Sequence, residues 1–375
     1  MDARVTLIHD WLTGMRGGEK CLEVLCEEYP DAPLYTLLHR KGSVSTTIEN
    51  RPIKKSLIHY LPRSHKLYRY FLPLMPFAVR RWKIPETDLV VSFSHCMAKS
   101  VKPPEGAPHV SYCFTPMRYA WHMRDSYFGE GRTRGLKSWL IQKLLTRLRN
   151  WDRQTADHVS HFIAISQTIQ QRILECYDRE SEVIYPPVDT DFYHPSNEKR
   201  DDYYLVVSAF APYKRVDLAI EACEKLQRRL VIIGTGQDQS RLQSLAGDRV
   251  EFLGWQSNEV IRDHFRRCRA LLFPGEEDFG IVPVEAMACG APVIAYGKGG
   301  ATETVVPRKT GLWHEEQNVD SLIAAMEDLE RDTDSITPDA TRRQAERFNR
   351  HRFREELLSY INSVLSPSVT TRRAA

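Results

Sequence analysis

The 375-residue sequence contains no C-x-x-C pair, no His and Cys cluster of zinc spacing, no Gly-x-Gly-x-x-Gly fingerprint, no repeat of solenoid period and no bilayer-length apolar run. Each absence removes a class of protein. Its eight cysteines are scattered at positions 21, 26, 96, 113, 176, 223, 268 and 289, several in apolar or helical runs. They read as buried thiols, not as zinc ligands or a disulfide framework. The longest apolar patch, Tyr70 to Val79, is interrupted by Pro73 and Pro76 and is too short to cross a membrane. Gly234-Thr-Gly236 starts like a dinucleotide-binding turn, but position 239 is Gln and no acid closes a following strand. That argues against a nicotinamide dehydrogenase and for a plain turn. Met1-Asp-Ala-Arg leads straight into a strand-like run without a secretory signal. With the cysteine usage, the expectation is a reducing cytoplasm.

What is present fits two globular domains. Hydrophobic residues make up 42% and charged residues 27%, an ordinary balance, and the length suits two cores. The net charge of +3 hides an asymmetry: residues 1–185 hold 27 Lys and Arg against 19 Asp and Glu, the remainder 25 against 30. Strand-like segments at Val5–His9, 89–93, 109–113 and 162–165 alternate with helical ones, including a helix from about Glu19 to Glu28. A second alternation runs from Tyr204 to Tyr296. The pattern predicts an α/β fold with parallel sheets covered on both faces. Pro186-Pro187 and the polar run after it mark a linker near 186–202. We therefore expect domains at 1–186 and 187–345, then a C-terminal helix and tail over 346–375.

The most informative stretch runs from Pro274 to Ala295. It sets Glu277 and Glu285 eight positions apart, with Phe279-Gly280 between them, on a loop entering a helix near Val282. Two acids so placed can grip two hydroxyl-rich parts of one ligand, and a helix N-terminus after a glycine offers N–H groups to phosphate. Lys214-Arg215 stands just before a predicted helix, where cations oppose the macrodipole and a pyrophosphate would neutralise them. Gly17-Gly18, flanked by Arg16 and Lys20, can turn backbone amides toward an anion or can be a simple turn. Asp189-Thr-Asp191 resembles a metal-binding Asp-x-Asp but lies in the Pro-rich linker, so it reads as a structural turn.

Two basic stretches carry aromatics. Arg51–Lys83 has no acid and includes Tyr60, Tyr68, Tyr70, Phe71, Phe77 and Trp82. Arg132–Arg153 presents Trp139, Leu140, Ile141, Leu144, Leu145 and Leu148 as an apolar face. Such stretches suit an anionic membrane surface, nucleic acid, or helices with a core-facing side. The expectation is an anionic membrane surface and no nucleic acid, because acids for sugar hydroxyls beside amides for phosphate suggest a nucleotide-sugar ligand, which already accounts for the other motifs.

Four features together resemble retaining glycosyltransferases of family four: Arg16-Gly-Gly-Glu-Lys20, Pro212-Tyr-Lys-Arg215, Glu277-x7-Glu285, and Gly299-Gly300 with Glu303. His9-Asp-Trp-Leu and the stretch Tyr112 to Trp121 most resemble a bacterial subgroup with mannosyltransferases of surface-polysaccharide assembly. The resemblance implies a GT-B fold, two facing Rossmann-like domains with the ligand cleft between them. It implies a metal-independent enzyme without cofactor, moving a hexose, mannose from GDP-mannose, to a lipid-linked or oligosaccharide acceptor. With the two basic stretches, the expectation is a cytoplasmic protein peripheral on the inner face of the cell membrane. Glu277 would meet the transferred sugar, Lys214 with Arg215 the diphosphate, and Glu285 the ribose. Phe279, Gly280, Ile281 and Val282 would form the donor loop, Gly17 and Gly18 would close on phosphate, and Trp255 would flank the base. Two departures stand out. Ala209 and Phe210 occupy the place of an arginine found in many relatives, and Phe114 that of a first-domain histidine. Arg118, Tyr119 or His122 would then face the acceptor. A non-catalytic nucleotide-sugar-binding protein, or an epimerase or phosphorylase of the same architecture, is the alternative.

Overall fold

The structure is a computed structural model that describes residues 3–118, 120–121, 136–332 and 335–366. The chain divides into two compact units, Met1–Pro186 with Phe353–Ala375, and Pro187–Arg352. The first is built on a seven-stranded parallel sheet. Its strands are β1 (Val5–Leu12), β2 (Leu34–His39), β3 (Ile53–Lys55), β4 (Leu89–Ser94), β5 (His109–Cys113), β6 (His161–Ala164) and β7 (Ser181–Val183). They lie in the order β3-β2-β1-β4-β5-β6-β7. The second holds β8 (Tyr204–Val207), β9 (Leu230–Ile233), β10 (Val250–Gly254), β11 (Ala270–Phe273), β12 (Val293–Tyr296) and β13 (Gly311–His314), in the order β10-β9-β8-β11-β12-β13.

Both sheets are doubly wound. Each starts in its interior, runs outward to one edge, then returns to the middle and runs to the other edge. The direction reverses between β1 and β4 in one unit and between β8 and β11 in the other. At such a point the loops leaving two neighbouring strands diverge and open a crevice, the usual ligand position in open α/β sheets. The central strands are covered on both faces, so they read as continuous buried runs. β1, β2, β4 and β5 are buried at every position. β1 nevertheless carries His9 and Asp10 inside, and buried polar groups of that kind require partners.

The predicted strand positions agree with the structure, with β1 continuing to Leu12. β2, β3, β7 and β13 add to them. The C-terminal segment forms two helices, Pro338–Glu346 and Arg350–Leu365. The second belongs to the first unit from Phe353 onward. It buries Phe353, Leu357 and Ile361, spaced four apart on one face. Each such side chain contributes about 1.5–3 kcal/mol of burial. Phe353 packs edge-on against Tyr112 of β5, and Arg354 pairs with Glu28 at 2.5 Å.

All eight cysteines are free and buried. Asp189 accepts a hydrogen bond from the Phe192 amide at 3.0 Å, closing a turn. No group of three or more His, Cys, Asp or Glu among the described residues could hold a metal. The helix Leu136–Gln154 buries Leu145, Leu148 and Trp151 in the core of the first unit. Leu145, Leu148 and Trp151 thus face the core, whereas Trp139 on the same helix stays 56% exposed. No described helix is long and apolar enough to cross a membrane.

Candidate active site

At the reversal point of the second unit, the loop after β8 carries Lys214 and the loop after β11 carries Glu277. Lys214 Nζ is in direct ion-pair contact with Glu277 Oε1. Both side chains are mostly buried, at 18% and 12% exposure. Together with Ser208 and Gly275 they line a small depression at the strand ends. An ammonium has three donors, so it can hold a carboxylate and an anion at once.

The loops approach so closely because glycine permits it. A Cβ on Gly275 would lie 2.9 Å from the Lys214 Cα and carbonyl oxygen. Gly300 donates its N–H to the Glu277 carbonyl at 2.8 Å, and a Cβ there would come within 2.2 Å of the Phe279 Cα. Gly299-Gly300 therefore buttresses the backbone of the Glu277 loop. On the other side, a Cβ on Gly234 would meet the Ser208 carbonyl and one on Gly236 the Phe210 backbone. The turn between them supports the loop that leads to Lys214.

Gly280 adopts φ +83° and precedes the helix Ile281–Ala288 with no side-chain cap. Amides of Ile281 and Val282 are thus first-turn groups of an uncapped N-terminus, and Pro283 at the next position has no N–H to offer. This end of the helix favours a negative ligand. Phe279 is buried edge-on against Phe348, so only its backbone remains for contact. Glu285 is buried within the same helix. Burial raises the Tyr193 hydroxyl above its usual range, and the Glu285 charge adds to that. Trp255, after β10, is 77% exposed and free to stack.

Arg215 does not join the pair. It takes left-handed φ +50° at the start of the helix Val216–Leu226. Its guanidinium turns to Asp217 at 3.3 Å and to the Gln317 carbonyl at 3.4 Å. The charge at that helix start is met by Asp217 in the first turn, so no outside anion is needed to explain it. Phe210 is a core residue packed against Phe252; aromatic burial occupies a place where an arginine would offer charge.

In the first unit, Gly17 opens the helix Gly17–Glu28 just beyond β1. A Cβ on Gly18 would touch the Phe114 ring at 3.2 Å and His9 at 3.4 Å. Gly18 is therefore also tightly packed, and a larger residue would press on both rings. Glu19 folds back to accept the Arg16 amide at 3.0 Å and lies 3.4 Å from His9 Nε2. Burial pushes the Glu19 carboxyl up, but the His9 hydrogen bond and charge outweigh it and hold it below the usual range. Arg118 lies in the turn after β5; Tyr119 and His122 lie outside the described residues. Sequence reasoning missed Asp10 and His95, which face one another across β1 and β4. A single His after a strand has no periodic or motif signal to expose it.

Two family models match this chain. "Glycosyltransferase Family 4" covers residues 17–192 and "Glycosyl transferases group 1" covers 189–349. The chain belongs to the glycosyltransferases. The solved structures extend the match to the fold of this glycosyltransferase. Sucrose-phosphate synthase from Thermosynechococcus elongatus superposes with a TM-score of 0.73 at 16% identity, covering 97% of this chain and 100% of that one. Anabaena HepE, in complex with UDP and glucose, gives 0.67 at 19% identity over 96% and 100%. With two doubly wound parallel-sheet domains, this is the GT-B fold. A Methanocaldococcus jannaschii "uncharacterized glycosyltransferase" is 30% identical over 188 residues, 49% of this chain and 53% of its own. A Mycolicibacterium smegmatis protein named GDP-mannose-dependent alpha-(1-6)-phosphatidylinositol monomannoside mannosyltransferase is 34% identical over 173 residues, 38% and 45% of the two. The chain spans about half the length of these curated relatives.

Proposed function

We propose that the protein is a retaining, metal-independent hexosyltransferase that moves mannose from GDP-mannose to a lipid-linked or oligosaccharide acceptor at the inner face of the cell membrane. One observation carries the reading: Lys214 meets Glu277 at the strand ends of the second unit's reversal point, beside an uncapped helix N-terminus. In this reading Glu277 receives hydroxyls of the transferred sugar, and Lys214 with the Gly280–Val282 amides stabilises the departing diphosphate. Glu285 takes the ribose and Trp255 the base. Arg215, tied to Asp217, contributes through the loop it anchors. The mannose donor is supported by the named mannosyltransferase relative. A membrane partner is supported by the segment 57–81. There Leu57, Tyr60, Tyr70, Leu74 and Phe77 are all more than half exposed, among Arg63, Arg80 and Arg81.

The test is donor turnover. Purified protein is incubated with GDP-mannose, UDP-glucose and UDP-galactose, with and without lipid-linked saccharide, and nucleoside diphosphate release is followed. GDP-mannose is expected to be consumed, faster with acceptor, and unaffected by EDTA, with NMR showing an α-linked product. Consumption of UDP-sugars alone would remove mannose from the proposal, a β-linked product would remove retention, and inertness toward every donor would remove transfer.

A further inference from the structure

The first unit has a reversal point of its own, between β1 and β4, and a second polar device sits there. Asp10 near the end of β1 has no exposure. Its Oδ2 accepts the backbone N–H groups of His95 at 2.7 Å and Cys96 at 2.9 Å, and its Oδ1 those of Met97 at 2.6 Å and Ala98 at 2.8 Å. One carboxylate thus organises the whole turn that leaves β4. The same Oδ2 lies 3.2 Å from His95 Nδ1. The Trp11 ring meets the His95 ring at 88°, centroids 4.4 Å apart, and Phe114 stands 6.3 Å away. The imidazole is therefore held on its Nδ1 side and packed against the Trp11 ring. About one third of the side chain, 32%, remains exposed. Its Nε2 has no hydrogen-bond partner among the described residues and is not among the buried polar atoms without one, so it is open to solvent.

A carboxylate that already accepts four N–H groups fixes a hydrogen on the facing ring nitrogen and leaves a lone pair on the other. Burial holds His95 below the ordinary imidazole range. Asp10 and Glu19 oppose that shift, while His9 and Arg118 add to it. The ring is thus neutral near pH 7.

We propose that His95 Nε2 accepts a hydrogen bond from the acceptor's hydroxyl group and so orients the nucleophile, with Asp10 as the residue that positions the ring. The proposal rests on the transferase reading above. It gives the first unit a hydrogen-bond acceptor at its strand ends where Phe114 can supply none. The ligand class is a saccharide hydroxyl, and the step proposed is orientation by a hydrogen bond, with no covalent change at His95.

Two measurements test it. In long-range ¹H–¹⁵N spectra of ¹⁵N-histidine-labelled protein, with His95→Gln assigning the resonance, His95 is expected as the neutral Nδ1–H tautomer at pH 7. An Nε2–H tautomer would overturn the proposal. Transfer from GDP-mannose to octyl α-, β-mannosides and glucosides is then compared with GDP-mannose hydrolysis in wild type, His95→Gln and His95→Phe. The acceptor KM should rise at least tenfold in His95→Phe and less in His95→Gln, which keeps a side-chain oxygen. The donor KM, the hydrolysis rate and the melting temperature should stay near wild type. An unchanged acceptor KM in His95→Phe, or hydrolysis falling in step with transfer, overturns the assignment of His95 to the acceptor. A wild type that consumes neither GDP-mannose nor UDP-glucose fails the transferase reading itself, and the two failures are thereby told apart.

Discussion

Lys214 and Glu277 hold each other in a mostly buried ion pair, so each substitution leaves the other charge with less compensation. Under the transferase reading, Lys214→Ala removes the cation facing a leaving diphosphate, and Glu277→Gln keeps shape while removing charge at the sugar. Either should cost about 2–4 kcal/mol of transition-state stabilisation, roughly 30- to 1000-fold in kcat/KM. Steady-state kinetics check this, with melting curves to separate activity from folding. Retention of full kcat/KM by both variants would remove the pair from the chemistry. Other single residues were opaque in the sequence for a physical reason. Asp10 works by collecting amides from a turn 85 to 88 positions away, and no local pattern records such a partnership. Lys99 is similar: it is buried and held by Asp152 at 3.0 Å, while Trp121 and Tyr177 hold the other oxygen. By contrast Glu277 and Glu285 were legible, because their spacing within one loop and helix is itself local.

At the scale of elements, the site is a product of loops pressed together through glycine. Gly300 has an ordinary right-handed backbone, so conformation does not require glycine there; space does. Gly300→Ala would set a methyl 2.2 Å from the Phe279 Cα and displace the Glu277 loop. Overpacking of this kind costs about 1–3 kcal/mol. Activity should fall at least tenfold and melting temperature should drop, whereas Gly14→Ala, whose nearest contact is 3.8 Å away, should change neither. Equal behaviour of the two variants would show that the buttress is dispensable. Most strands and helices were readable from apolar runs bounded by turn residues. Those not foreseen share causes. β2, Leu-Tyr-Thr-Leu-Leu-His, is buried on every side chain and shows no alternation. β3 and β7 are three-residue edge strands with charged residues. β13 begins at Gly311, where a Cβ would strike the Val293 carbonyl, so its glycine reads as a breaker although close strand approach demands it.

For the whole molecule, charge and protonation set two outcomes. The segment 57–81 exposes aromatic and aliphatic groups among basic ones, and residues 51–83 hold no acid. We expect cosedimentation with phosphatidylglycerol vesicles at low salt, lost as salt screens the charge and reduced by Tyr70→Ser with Phe77→Ser. Absence of binding at low salt, or binding indifferent to that double change, would exclude this surface as the membrane contact. Stability should also fall in mild acid. His109 is fully buried; the Ser92 hydroxyl donates to its Nε2 at 2.8 Å, and its Nδ1 donates to the His158 carbonyl at 3.0 Å. Burial pushes it down to about 3. In the unfolded chain it titrates near 6.5, so between those values the unfolded state binds the extra proton. The contribution is whole above about pH 6.5 and is lost progressively as pH falls toward 3. His95 and His314, also lowered by burial, act in the same direction. Melting temperature measured from pH 7 to 4 should drop, and less steeply in His109→Asn. A flat profile would show that these rings are protonated in the fold without cost.

The helix Arg350–Leu365 bears on how the protein is made. A ribosome finishes the seven-stranded sheet by Val183, then spends the next 170 or so residues on the other unit before Phe353 appears. Until then Tyr112 lacks the Phe353 ring and Glu28 its arginine. The second unit is one uninterrupted segment and has its whole sequence at hand earlier. The domain whose chain emerges first is therefore the last to close its core, and it closes with the final described helix of the polypeptide.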